Sequence, residues 1–412
     1  MLVFFRVRNF KSIVDATVDM RYGEGKAPSG YKKLKTIPFL EYPVDGGREL
    51  RLSPIMAIYG QNAGGKSALL EALETLRLCL KDNRLRYRPN RLHPELRETV
   101  FEISFATGGR VFTYTLCYHQ DGVRREVLTT HLGELFTIDH ESRRFSFAPL
   151  ATESYTEERL QAVLRTECCN AKGEQIGIFL AKIAVNYPGL NEALSDAYQF
   201  LMLGISTSLR NEFSAQFAIN YLAHGLQDAS HESAFQEIAK YLRRLDIDIA
   251  GMELLRNEES AEDSGEAEYR INCYHKDGEG RTVALDFREE SRGSQVLFGL
   301  LGVVLCVLRK GGVLVIDEID RSLHSVLLLT LVSMFTDREY NVKGAQLILT
   351  AHNTDLLESP NLRTSQVAIV TKTLQLGTQV RRLCDFDGVR NVRNFRKAYL
   401  EGAFFGIPFP II

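Results

Sequence analysis

Leu2–Arg8 alternates as a half-buried strand does, and after a turn near Asn9–Ser12 a second strand runs towards Met20. Residues 21–51 are rich in Gly, Pro and Lys and read as a long loop or an irregular hairpin. Ile55–Tyr59 is a short continuous apolar run, the pattern of a buried strand. Beyond it Leu69, Leu70, Leu73 and Leu76 recur at helical spacing. Phe101–Phe105 and Arg110–Tyr118 alternate on either side of Gly108-Gly109, a hairpin signal, and Glu126–Phe147 continues the β texture.

From about Thr152 the period changes. Glu157–Leu164, Gly177–Val185, Leu190–Leu203 and Ala234–Leu245 carry helical spacing, without the sustained heptads of a coiled-coil arm. Asn257–Glu268 is acidic and small-residue-rich and reads as a loop between strands at Ile249–Leu255 and Glu268–His275; Arg281–Phe287 is a further strand. Val296–Leu308 is the most lipid-like run, yet it is short of the roughly 20 residues of a membrane span, so a buried helix is expected. Val313–Ile316 and Leu347–Thr350 are short β runs after helical segments, as central strands buried on both faces are. The pattern predicts an α/β fold with a mixed sheet, an antiparallel β lobe and a helical insertion.

Composition narrows this only slightly. Apolar content of 45% and charged content of 25% are those of an ordinary globular protein, and a net charge of −2 gives no global nucleic-acid signal. The densest basic segment carries Lys81, Arg84, Arg86, Arg88, Arg91 and Arg97 against Asp82 and Glu95; a solvated connector is expected there, with a nucleic-acid contact as the alternative. The seven cysteines show no C-x-x-C spacing, so no zinc site is expected. No signal-peptide pattern opens the sequence, which makes reduced thiols and a cytoplasmic location the expectation.

The candidate chemistry begins at Gly60-Gln61-Asn62-Ala63-Gly64-Gly65-Lys66-Ser67, which fits G-x-x-x-x-G-K-[ST] between a strand and a helix. Glycines let successive N–H groups turn inward on phosphate oxygens, and the helix N-terminus adds its positive dipole end. Lys66 is placed to reach the β- and γ-phosphates of ATP and Ser67 to ligate Mg²⁺. Gly311–Asp320 ends a buried strand on an acidic pair, and that strand is expected beside the one feeding Gly60. Asp317 would then hold Mg²⁺ and Glu318 would serve as general base for a water. A second strand ends in Ala351-His352-Asn353-Thr354, where His352 could hydrogen-bond the γ-phosphate; His324, by contrast, is expected on a helix with a packing or surface role. Glu290-Ser291-Arg292-Gly293-Ser294-Gln295 opens the apolar helix and reads as a second anion cradle. One nucleotide does not need two cradles in cis, so the second is expected to close over a nucleotide held by another protomer.

The ordered set GQNAGGKS, ESRGSQ, VLVIDEID, a D-loop-like Asp320 and TAHN resembles ABC-type ATPases of the SMC and recombination-repair branch. The opening VRNFKSI resembles the first strand and turn of those heads, while the FEISF strand, the ESRGS signature and the ending RKAYLEGAFFGIPFP look like the stand-alone ATPases of prokaryotic defence operons, the Rlo-type and PARIS-type subunits, relatives of the OLD family. The resemblance covers about 1–120 and 285–412. It implies an ABC-type P-loop ATPase head: residues 1–150 its first part, 151–250 a helical insertion, and 251–412 the part with signature, acidic strand, D-loop and switch histidine. Lys66, Ser67, Asp317, Glu318 and His352 would act on one ATP, while Ser291, Gly293 and Ser294, with Asp320, would act in a nucleotide-sandwiched homodimer or higher homo-oligomer. Two departures stand out. The glutamine such heads carry before the signature has no clear place, Gln120 and Gln161 being guesses. The stretch after His352 is also too short for the nuclease domain of OLD proteins, so a partner would do any cutting.

The function expected is an ATPase that controls an effector protein from the same operon, a nuclease or toxin, in antiphage defence. The alternative is a DNA-binding recombination or repair ATPase of the SMC/RecF type, motivated by Lys81–Arg97 and Arg390–Lys397; a DNA or RNA partner stays open, and no membrane partner is expected. ABC transport fits the antiparallel hairpins and the insertion poorly, and a ring-forming AAA+ motor fits the order of motifs poorly.

Overall fold

The computed structural model describes residues 1–23, 29–152, 155–187, 189–209, 235–236, 238–242, 249–257, 268–321, 323–373, 375 and 377–406. Among these, one sheet of thirteen strands runs through the molecule. Its heart is five parallel strands in the order Val367–Thr373, Ile55–Gly60, Gln346–Thr350, Val313–Ile316 and Ile205–Ser208. Beyond Val367–Thr373 the sheet turns antiparallel through Gly377–Arg382 to the N-terminal pair Ile13–Asp19 and Leu2–Phe10. It continues into the lobe of Thr99–Thr107, Arg110–His119, Gly122–Thr130, Gly133–Asp139 and Arg144–Ser146. The predicted mixed α/β sheet with an antiparallel lobe is therefore the fold observed.

Burial on both faces explains why the central strands are unbroken apolar runs. Met56 and Ile58 face one core, filled by Leu69, Leu73 and Leu76 of the helix Lys66–Asp82. Ile55, Ala57 and Tyr59 point the other way, into a core built with the helices Arg292–Lys310 and Ser325–Thr336. Among the described residues Arg292–Lys310 is the one helix long and apolar enough to cross a membrane, and 72% of its apolar window is buried inside the fold. Its burial makes it the core helix expected, although the helix runs beyond the apolar stretch Val296–Leu308 at both ends.

Two expectations need revision. The acidic strand Val313–Ile316 does not lie beside the phosphate-loop strand, because Gln346–Thr350 pairs with both and sits between them. The insertion is not wholly helical: after the helices Glu157–Val163, Phe179–Asn186 and Glu192–Leu203, the strand Ile205–Ser208 joins the edge of the parallel sheet. In the 21–51 region the hairpin alternative is the one observed, Leu40–Val44 with Arg48–Leu52. The acidic run 258–267 and residues 234, 237 and 243–245 of the expected helix Ala234–Leu245 lie outside the described residues, and 235–236 and 238–242 are helical.

One buried group ties the helical segment to the lobe. Glu126, on Gly122–Thr130, is fully buried and accepts hydrogen bonds from Tyr114 Oη at 3.1 Å, Gln175 Nε2 at 2.9 Å, and the backbone N–H groups of Phe179 at 2.9 Å and Leu180 at 2.8 Å. Burial pushes its carboxyl up to about 7, while these donors pull the other way. Glu126→Ala strands the Tyr114 hydroxyl and the two backbone N–H groups in an apolar core, while Gln175 keeps the Gly177 carbonyl, at a cost of about 3 kcal/mol. A fall in melting temperature of about 3 °C is expected, and an unchanged melting curve would contradict the role given to this residue.

Candidate functional site

The glycines of the phosphate loop are required by what lies against them. Gly60 has φ +151°, and a Cβ there would stand 2.1 Å from the carbonyl oxygen of Val370. Gly65 has φ +108°, and its Cβ would stand 2.1 Å from Oγ1 of Thr378. Gly65 caps the helix Lys66–Asp82 from a left-handed conformation, so the loop delivers its N–H groups at a helix N-terminus. Lys66 is buried and folds back on the loop, with Nζ donating to the carbonyl oxygens of Gly60 at 2.8 Å and Gln61 at 3.3 Å. Burial lowers the pKa of its ammonium, against the raising charges of Asp317, Glu318 and Asp320, which places that acidic group within electrostatic reach of the loop.

A cleft of about 710 Å³ opens over this loop. Asn62 to Ala68 and Glu71 form its floor; Glu318, His352, Lys11 and Ser12 form its walls. Residues from four separate stretches of the chain thus meet at the C-terminal ends of parallel strands, the place where open α/β sheets bind ligands.

Thr350 organises the acidic wall from the intervening strand. Its hydroxyl donates to Asp317 Oδ1 and accepts the Glu318 N–H at 2.7 Å, while its carbonyl takes the N–H of Ile319 at 3.1 Å. Glu318 is held at φ +47°, a conformation that non-glycine residues seldom adopt. Nε2 of His352 lies 3.8 Å from its Oε1, and Nη1 of Arg321 lies 3.9 Å from its Oε2. Asp317 is buried, with its N–H donated to the carbonyl of Ser208 at 3.1 Å. Asp320 does not line the cleft. Its Oδ2 accepts the backbone N–H groups of His352, at 2.7 Å, and of Asn353, so it holds the switch turn in the same chain.

The signature residues stand apart from this cleft. Ser291 N-caps the helix Arg292–Lys310, its Oγ accepting the Ser294 N–H at 3.1 Å and meeting Ser294 Oγ at 2.9 Å. Ser291, Arg292 and Gly293 are exposed, and only Ser291 Oγ, at 3.7 Å, would come near a Cβ added to Gly293. Gln120 lies in an exposed turn of the β lobe and Gln161 on the helix Glu157–Val163; neither lines the cleft. His324 N-caps Ser325–Thr336, through Nδ1 and the Val326 N–H at 3.4 Å.

Lys11, Ser12, Thr350 and Thr378 were not among the residues expected here. Lys11 has φ +50° and is paired with Glu71 of the phosphate-loop helix. Thr378 is fully buried; its hydroxyl donates to the Gly64 carbonyl at 3.0 Å and pairs with Ser12 Oγ at 2.9 Å. The N-F-K-S turn was a legible signal for the first two; nothing local marks the threonines.

Among the described residues no group of three or more His, Cys, Asp or Glu side chains is placed to hold a metal on its own. A hydroxyl and one carboxylate, Ser67 and Asp317, nevertheless suit Mg²⁺, which takes one or two protein oxygens and completes its shell with water and phosphate.

The model of a family described as "AAA domain, putative AbiEii toxin, Type IV TA system" matches residues 55–358, from the phosphate-loop strand to just past the switch turn. Among solved structures, the SMC head domain from Thermotoga maritima aligns at TM-score 0.43 and 13% identity, over 92% of this chain and 98% of its own. The Smc head domain derived from Pyrococcus furiosus, bound to the C-terminal domain of ScpA, aligns at 0.41 and 12%, over 92% and 95%. The recombination mediator protein RecF aligns at 0.40 and 13%, over 93% and 98%. No curated protein matches. The fold assignment rests on the strand order itself.

Gly65→Ala forces a side chain into Thr378 at a backbone angle L-residues rarely hold. It is expected to lower the melting temperature by several degrees and to abolish binding of a fluorescent ATP analogue. Unchanged affinity would show that the loop tolerates what its packing forbids.

Proposed function

The chain belongs to the AAA family whose model spans residues 55–358, and on that premise we propose that it hydrolyses ATP as one half of a nucleotide-sandwiched dimer. One observation carries the reading. The cleft gathers Lys66, Ser67, Glu318 and His352, while the signature helix presents its N-terminus to solvent elsewhere.

In this reading Lys66 leaves the carbonyls of Gly60 and Gln61 for the β- and γ-phosphates, and the loop N–H groups take the remaining oxygens. Ser67 and Asp317 would hold Mg²⁺, which supplies charge neutralisation on the phosphates when bound. Glu318 accepts a proton from the attacking water, and His352 hydrogen-bonds the γ-phosphate. Ser291, Gly293 and Ser294 offer hydroxyls and helix N–H groups to the nucleotide of a second copy. Asp320 acts on the site by fixing the backbone at His352.

Control of an effector partner from the same operon, a nuclease or toxin, in antiphage defence is the finer part of the proposal. The resemblance of both ends of the chain to defence-operon ATPases supports it. The family's own description, "putative AbiEii toxin, Type IV TA system", supports a link to toxin systems in which the AAA protein is itself the toxin. DNA binding is the second reading. Arg88 lines a cleft of about 500 Å³ beside the phosphate-loop helix, which favours it, although in the same cleft Arg86 is engaged by Asp82 and Lys11 by Glu71. The other basic stretch weakens it, since Arg396 is engaged by Asp355 at 3.2 Å and Glu358 at 3.4 Å. Salt-dependent duplex binding, lost when Arg86 and Arg88 are replaced, is the outcome this second reading requires.

Glu318→Gln keeps the shape of the site and removes its base. Turnover is expected to fall by about 10²-fold or more, with ATP retained and the dimer enriched in light scattering. Hydrolysis at the wild-type rate would remove Glu318 from the mechanism.

A further inference from the structure

Tyr59 precedes the first glycine of the phosphate loop and points to the face of the sheet opposite the phosphate-loop helix. It is 1% exposed, and its hydroxyl donates to the carbonyl oxygen of Asn353 at 2.8 Å. Asn353 follows His352, and the same peptide segment hangs from Asp320 by its N–H groups. The switch turn is thus suspended from two sides: the acidic strand holds its donors, the phosphate-loop strand its acceptor.

A second tyrosine meets the first. Tyr399, on the C-terminal helix Phe395–Leu400, packs edge-on against Tyr59 with ring centroids 5.7 Å apart. Its hydroxyl donates to the carbonyl of Gly406 at 3.3 Å. The carbonyl of Gly60, next in the chain after Tyr59, accepts from Lys66 Nζ at 2.8 Å. One turn earlier on the helix, Arg396 binds Thr354 Oγ1 at 3.1 Å and the carboxylates of Asp355 and Glu358, all in the segment that follows the switch turn. The C-terminal helix packs on Tyr59 with one residue and binds the switch segment with another.

Packing alone does not account for this arrangement. A phenylalanine would fill the same apolar space, and a buried phenol only needs some partner for its hydroxyl. Here the partner of Tyr59 is the residue after the switch histidine. We propose that Tyr59 is a positioning residue: it sets the switch turn that carries His352 relative to Glu318, with Tyr399 of the C-terminal helix packed against its ring. The inference rests on the reading of the cleft as an ATPase site.

The two hydroxyls divide the kinetic consequences. Tyr59→Phe frees the Asn353 carbonyl and leaves the phosphate loop intact, so kcat falls about tenfold while KM stays within about twofold of wild type. Tyr399→Phe loses only the bond to the Gly406 carbonyl and leaves the Asn353 carbonyl held, so kcat and KM both stay within about twofold of wild type. A purely structural role would move both variants alike, in proportion to the folded protein lost on melting. The second readout needs no turnover. With histidines labelled at Cε1 and the His352 resonance assigned from His352→Gln, the nucleotide-free protein is expected to show a shifted His352 signal in Tyr59→Phe and none in Tyr399→Phe. An unmoved His352 resonance in Tyr59→Phe overturns the inference, as does a parallel loss of kcat in both variants. A wild-type chain without turnover overturns the ATPase reading instead, and the resonance still decides the role of Tyr59.

Discussion

The close approach of Val370 and Thr378 to the phosphate loop is the constraint on which the site depends. At Gly60 and Gly65 a Cβ would stand 2.1 Å from a neighbouring oxygen, about 1 Å closer than contact allows, and both glycines hold backbone angles that L-residues avoid. The loop is therefore pressed into shape from behind by the parallel strand next to its own and by the antiparallel strand beyond that. The second of these also carries the hydroxyl that joins Gly64 to Ser12. Through Thr378 the N-terminal turn with Lys11 and the phosphate loop become two walls of one cleft.

The opposite wall follows from strand order. With Gln346–Thr350 between the phosphate-loop strand and the acidic strand, the hydroxyl of Thr350 can set Asp317 and Glu318 while the same strand runs on into His352. Glu318, Asp317 and His352, the proposed base, metal ligand and switch, are then positioned by one strand end and its neighbour. The signature residues share none of this scaffold. In the proposed dimer the exposed Ser291, Arg292 and Gly293 on a helix N-terminus make a second copy the economical source of a lid.

Much of this was legible because its signals are local. The phosphate loop, the acidic pair and the switch histidine each announce themselves within about ten consecutive residues, and the apolar runs feeding them read as buried strands. What failed was whatever depends on crossover paths. The acidic strand was expected next to the phosphate loop because nothing in its residues encodes which neighbour it takes. Ile205–Ser208 escaped notice because only Ile205 is buried, so four residues of an edge strand carry almost no pattern. Thr350, Thr378 and Tyr399 act through partners dozens to hundreds of positions away, and Lys11 and Ser12 were seen as a fold mark before the structure set them in the cleft.

The central claim is that one ATP site is built from two chains, and mixing tests it most directly. A Lys66→Ala chain keeps its signature helix, and a Ser291→Arg chain keeps its phosphate loop. Neither is expected to hydrolyse ATP alone, but a mixed dimer contains one intact pairing. Turnover that appears only on mixing is the result this account predicts. A mixture that stays silent while wild type is active, or Ser291→Arg alone working at the wild-type rate, would contradict it.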